Sequence, residues 1–239
     1  ARKKIQNPRV LLVDDDPSAR SFYKVVLSRA GIDFDVASSP VQALEKVAAQ
    51  DFNVVVTDNV MPQMSGVELC SEIRERHGED LLLVVLTGDH LDEEGSFDAV
   101  ARKPVGQEFW ESFTAAKMRH KTGIEEDSAR ITKQFDSFIN SPDLYPLLRD
   151  YVEALERLVN RMANHLEQED SESLRREAHS VKGTASSYGL LEVARKAERL
   201  EHAASAETEG MGEALEALSA AVSGTVEKVR ENPPYDGKS

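Results

Sequence analysis

The chain has 239 residues, with 29 Lys+Arg against 43 Asp+Glu and a net charge of −14. That length suggests two compact domains or one large one, and a hydrophobic share of 40% excludes wholesale disorder. So acidic a chain repels phosphate backbones and anionic lipid surfaces, which argues against nucleic acid and membrane surfaces as partners.

The first half alternates short apolar runs with helical patterns. Val10–Val13 reads as a buried strand closed by Asp14-Asp15-Asp16, and Pro17 opens a helix to about Ala30, stopped by Gly31. Phe34–Ala37 is a short strand. Ser39-Pro40 supplies a cap and a first turn for a helix to about Gln50. Phe52–Thr57 is an uninterrupted run ending at Asp58, and a loop of Met, Pro and Gly leads to a helix from Ser65 to His77. Leu81–Leu86 ends at Thr87-Gly88, Ala99–Arg102 is a weaker strand before Lys103-Pro104, and a last helix covers about Gln107 to Lys121. Strand and helix in alternation predict a parallel sheet covered on both faces. Continuous apolar strands agree with burial on both sides.

The second half shows no convincing strand. Helical patterns run over about Ser128–Asn140, Asp143–Glu167, Ser171–Tyr188, Leu190–Ser205 and Met211–Glu231, with Ser141-Pro142 as a start signal for the second. Leu148, Tyr151, Leu155, Val159 and Met162 form an apolar stripe at helical spacing. A helical bundle is expected, followed by a loose tail from Asn232. Most of the remaining acidic excess, including the Glu-rich surface of this half, reads as solvated helix face.

One cysteine, Cys70, rules out an internal disulfide framework and fits a reducing compartment, so a cytoplasmic location is expected. The longest apolar run, Leu81–Leu86, is too short for a bilayer span, and no signal core follows the basic N-terminus. The first residue is Ala rather than Met, which fits processing or excision from a longer protein.

In open parallel sheets, ligands sit at the carboxyl ends of the strands. Asp14, Asp15, Asp58, Thr87 and Lys103 all close strands and therefore share one edge. Carboxylates converging there need a cation, and hard oxygen ligands select Mg²⁺. A carboxylate beside Mg²⁺ can attack phosphorus, with Lys103 and the Thr87 hydroxyl available to the phosphoryl oxygens.

These residues resemble the receiver domain of two-component response regulators. The motifs are Val10-Leu11-Leu12-Val13-Asp14-Asp15-Asp16-Pro17, Asp58 with Met61-Pro62 and Gly66, Thr87-Gly88, and Lys103-Pro104, covering roughly 8–121. The resemblance implies a flavodoxin-like, doubly wound sheet of five parallel strands. It implies Asp58 as phospho-acceptor, Asp15 and Asp58 as side-chain Mg²⁺ ligands, Asp14 acting largely through water, and the Val60 carbonyl as a further ligand. Thr87 and Lys103 would contact the phosphoryl group. Two features depart from the pattern. Val100 stands where receivers usually carry an aromatic residue, and the stretch from Thr87 to Lys103 leaves little room for a full fourth helix. An altered output and dimerisation face is expected, with a homodimer left open.

In the second half, Ala178-His179-Ser180-Val181-Lys182-Gly183 places a cation and a bare glycine on the face of His179. A mid-helix glycine costs roughly 1 kcal/mol against alanine, which is odd unless something must approach closely. A neutral imidazole can attack an acyl phosphate near neutral pH. The segment is similar to the histidine-containing phosphotransfer (HPt) domain, a four-helix bundle, over about 124–231. That resemblance implies His179 as the phosphorylated residue, Lys182 as the phosphate-stabilising cation and Gly183 as the point of access.

The expected organisation is a receiver over 1–121 and an HPt bundle over 122–239. The expected function is a phosphorelay carrier lacking an ATP-binding kinase domain, with a sensor histidine kinase and another receiver as partners. Two other readings stay open. One is a phosphorylation-independent docking module, suggested by Val100 and the short connection. The other is a haloacid-dehalogenase-like phosphohydrolase, suggested by Asp14-x-Asp16-x-Ser18, although no acidic pair follows Lys103. A last receiver helix of about sixteen residues at roughly 1.5 Å each would carry the chain about 24 Å from the acidic edge. Transfer through a second molecule or an intermediary is therefore expected.

Overall fold

The computed structural model describes residues 8–88, 95–103, 105, 109–110, 141, 144–206 and 210–233. The chain divides into two compact units, Ala1–Glu126 and Asp127–Ser239. The expected boundary at 121/122, most of the helix expected over 107–121, and the helix expected over 128–140 lie outside the described residues, as does the tail from 234.

In the first unit, β1 (Arg9–Val13), β2 (Asp33–Ala37), β3 (Val54–Asp58), β4 (Leu82–Thr87) and β5 (Ala99–Arg102) form one sheet in the order β2-β1-β3-β4-β5. Every neighbouring pair is parallel. The order reverses between β1 and β3, which opens the crevice where such sheets bind ligands. Register fixes that edge: Val13 lies opposite Thr57, Asp58 opposite Leu86, and Thr87 opposite Arg102.

The helices are α1 (Pro17–Arg29), α2 (Pro40–Ala49) and α3 (Gly66–His77). Side chains alternate along each strand. Leu11, Val13, Val55, Leu83 and Val85 therefore pack on one face with Ala43, Val47, Leu69, Cys70 and Ile73 of α2 and α3. Tyr23 of α1 packs edge-on against Trp110, with centroids 5.5 Å apart, and both rings are buried.

The bounds of β3 and β4 differ from expectation, whereas the link from β4 to β5 agrees with it. β3 begins at Val54, not Phe52, because the Asn53 side chain is taken up by the Arg9 N–H at 2.8 Å and holds the lead-in ahead of the ladder. β4 runs from Leu82 to Thr87, so Thr87 belongs to the strand itself. Residues 95–98, the described part of the link from β4 to β5, are not helical. There Arg74 and Asp98 form a 2.8 Å ion pair that ties the link to α3.

The second unit contains α4 (Tyr145–Glu167), α5 (Ser171–Ser187), α6 (Leu191–Ser205) and α7 (Met211–Glu231). Each helix packs on the next and the last packs on the first, which makes a closed four-helix bundle. The Tyr151 and Tyr188 rings stack at 4.5 Å in its core. Helix α4 starts at Tyr145, two residues later than expected. Ser141 contributes its carbonyl to the Tyr145 N–H at 2.9 Å at this start.

Candidate functional site

The carboxyl edge of the sheet gathers the strand-end residues. One carboxylate oxygen from each of Asp14, Asp15 and Asp58 lies within 4.8 Å of the others. Asp14 and Asp58 are buried and Asp15 is exposed. Lys103 reaches in from the end of β5, its Nζ 3.0 Å from Asp58 Oδ1 and 3.3 Å from Asp14 Oδ2. The Lys103 N–H donates to the Thr87 carbonyl at 2.7 Å, which aims the lysine stem across the edge. Thr87 is buried beside it. Val60 is half-buried in the loop just past Asp58.

Local structure holds these groups in place. The Asp16 N–H donates to Asp14 Oδ1 at 2.9 Å, and the Arg20 guanidinium donates to the Asp14 carbonyl at 2.6 Å. Asp16 itself caps α1, accepting from the Ser18 N–H at 2.8 Å. Gly66 is needed for close approach, because a Cβ there would lie 2.2 Å from the Asp58 carbonyl oxygen. Ser65 and Glu68 then start α3 with a capping box, at 3.2 and 2.7 Å.

The electrostatics of this edge are strained toward a cation. Burial pushes the Asp14 carboxyl up, and Asp58 adds repulsion against the pull of Lys103, so its pKa reaches about 7. Asp15 is also raised, by burial and then by Asp58. Lys103 is held firmly protonated, since Asp14 and Asp58 outweigh the cost of its burial. Three carboxyl groups converge on a single ammonium, so acidic groups outnumber the cation among these residues. The donor set is all oxygen and matches a hard divalent cation.

The second cluster lies in the bundle. His179 of α5 is 8% exposed, and its Nδ1 lies 2.6 Å from Glu201 Oε1 on α6. Lys182, one turn along α5, places Nζ 2.9 Å from Glu201 Oε2 and 3.9 Å from Glu198. Gly183 sits in the same buried stretch of helix. Burial would raise the Glu201 carboxyl, but hydrogen bonds from His179 and Lys182 overcome it and bring its pKa to about 2. An ionised carboxylate only accepts, so His179 Nδ1 is the donor, and in the neutral ring the lone pair then lies on Nε2.

Glu201 is the residue that sequence reading missed: it is a buried exception among Glu-rich helices read mostly as solvated face. A signal was present. Val193, Ala197, Leu200 and Ala204 mark the buried stripe of α6, and Glu201 falls on it. A charge at a core position needs a partner.

Residues 10–102 match the family described as the response regulator receiver domain, and residues 146–231 match the Hpt domain. The chain joins a receiver domain to an Hpt domain. The order, receiver first and Hpt second, is the one expected from the sequence motifs. The chain is similar to response regulator MprA of Mycobacterium ulcerans, 34% identical over 126 residues, covering 51% of this chain and 54% of MprA. It is also similar to sensor protein EvgS of Escherichia coli, 41% identical over 68 residues, 28% of this chain and 6% of EvgS. The chain spans about half the length of the curated MprA relative, 54% of it. Among solved structures, the Francisella response regulator 1452 receiver domain aligns with 25% identity and a TM-score of 0.41, covering 46% of this chain and 96% of that one. Among the described residues, no helix is long and apolar enough to cross a membrane.

Proposed function

We propose that Asp58 accepts a phosphoryl group from a phosphohistidine, and that His179 carries a phosphoryl group to or from a receiver aspartate. The observation that carries this reading is the edge cluster itself: a buried carboxylate, Asp58, with Lys103 at 3.0 Å and two further carboxylates within 4.8 Å. Asp14, Asp15, Asp58 and the Val60 carbonyl would hold Mg²⁺, which screens the charge of an incoming phosphoryl group when bound. Asp58 supplies the attacking oxygen. Lys103 already touches that carboxylate and is the group available to a phosphoryl oxygen, with Thr87 beside it. In the bundle, Nε2 of His179 is the nucleophile, with Lys182 as the neighbouring cation and Gly183 leaving the approach clear.

In this reading the two domains carry phosphoryl groups and do not make phosphohistidine from ATP. The partners are a sensor histidine kinase and another receiver, and the compartment is the cytoplasm. The test is treatment of the full chain with a small acyl phosphate and Mg²⁺, followed by peptide mapping. Phosphate on Asp58, abolished by Asp58→Ala and by chelation of the metal, is expected. Label at neither Asp58 nor His179 overturns the proposal.

A further inference from the structure

The ring of His179 meets an unusual set of charges. Glu201 from α6 is 6% exposed and touches Nδ1 at 2.6 Å. Lys182 of α5 contacts the other oxygen of the same carboxylate at 2.9 Å, and Glu198 of α6 lies 3.9 Å from that lysine. Arg175, one turn back on α5, is bonded to Glu172 at 3.0 Å and also senses the charge of Glu201. The Lys182 charge is therefore shared with a carboxylate before any phosphoryl group arrives.

Consider the transfer step. The Nε2 lone pair attacks phosphorus, the Nε2–P bond forms, and the P–O bond to the donor aspartate breaks with its electron pair leaving on that carboxylate. The imidazole now carries a positive charge, because Nδ1 still holds its proton. An imidazole in water sheds such a proton near neutral pH. Here the proton faces a buried, ionised carboxylate. Resting on the phosphorelay reading of His179, we propose that Glu201 retains the Nδ1 proton throughout the cycle. His179 then carries its phosphoryl group as a phosphoimidazolium. A cationic ring is the better leaving group, so Glu201 keeps the group ready for onward transfer. In the return step the N–P electrons go back to Nε2, and no proton has to be found. Glu201 acts as a positioning residue: it touches the ring, not the phosphorus.

The test uses the full chain with ¹⁵N-labelled histidine, phosphorylated by phosphoramidate. Wild type is compared with Glu201→Gln, which keeps an acceptor and removes the charge. The double variant Glu201→Gln/Lys182→Gln guards against misfolding, since neutralising both buried partners avoids a lone charge. In wild type, Nδ1 of phospho-His179 stays protonated into the alkaline range. In Glu201→Gln, its proton affinity falls about tenfold or more, the effect of losing an opposite charge in contact, and in the double variant, which also removes the like charge of Lys182, it falls by a smaller amount. The phosphohistidine then survives several-fold longer. Equal Nδ1 titration and equal lifetimes in all three proteins overturn the inference while leaving the relay intact. Failure of His179 to take label in any of them overturns the relay reading and the inference with it.

Discussion

Asp14 shows how a single carboxyl records what the edge lacks. Its folded pKa of about 7 lies above the ordinary 3.8, chiefly through burial. The folded protein therefore binds the Asp14 proton more tightly than the unfolded chain does. The stabilising share of this group is complete below pH 3.8 and is lost as pH rises through about 7. In metal-free buffer, the receiver transition is expected to weaken over that window by up to about 4 kcal/mol from this group alone. Urea denaturation as a function of pH checks this. Asp14→Asn should flatten the profile, and Mg²⁺ should restore stability at alkaline pH but not in acid. Strand-end residues such as Asp14 are legible in sequence because buried parallel strands must all end on one edge. Glu201 is not, because helical periodicity gives its face but not the register between α5 and α6 that sets it against His179.

At the scale of elements, the turn from β3 into α3 is the tightest joint beside Asp58. Gly66 passes so close to the Asp58 carbonyl that a Cβ would stand 2.2 Å from it. The obstructing atom is backbone and cannot swing aside. Gly66→Ala is expected to destabilise the receiver by ~2 kcal/mol or more and to slow phosphorylation of Asp58. Ser65→Ala, which removes only the cap of α3, should cost about 1 kcal/mol and spare phosphorylation. Chemical denaturation and the rate of acyl-phosphate labelling separate the two; equal effects on both quantities would contradict this account of Gly66. Element order and type were legible because the strands are continuous apolar runs and α4–α7 carry helical stripes. Strand starts were less so. Phe52 belongs to the apolar run and to the core, yet the ladder begins at Val54. Hydrophobicity reports burial, whereas a strand is defined by its hydrogen bonds.

Over the whole molecule, two units of different architecture each bring one candidate nucleophile to a cationic side chain. Asp58 meets Lys103 at 3.0 Å, and His179 shares Glu201 with Lys182 at 2.6 and 2.9 Å. The net charge of −14 has a specific part in the first unit, the three-carboxylate edge. In the second it has an unexpected one, a buried glutamate that serves the histidine. The central claim is that both groups carry phosphate. The most direct measurement is a two-site phosphate map of the full chain after exposure to a small phospho-donor with Mg²⁺, run in parallel on Asp58→Ala and His179→Ala. The account predicts alkali-labile phosphate that disappears with Asp58 and acid-labile phosphate that disappears with His179. Labelling that persists unchanged in both variants would contradict it.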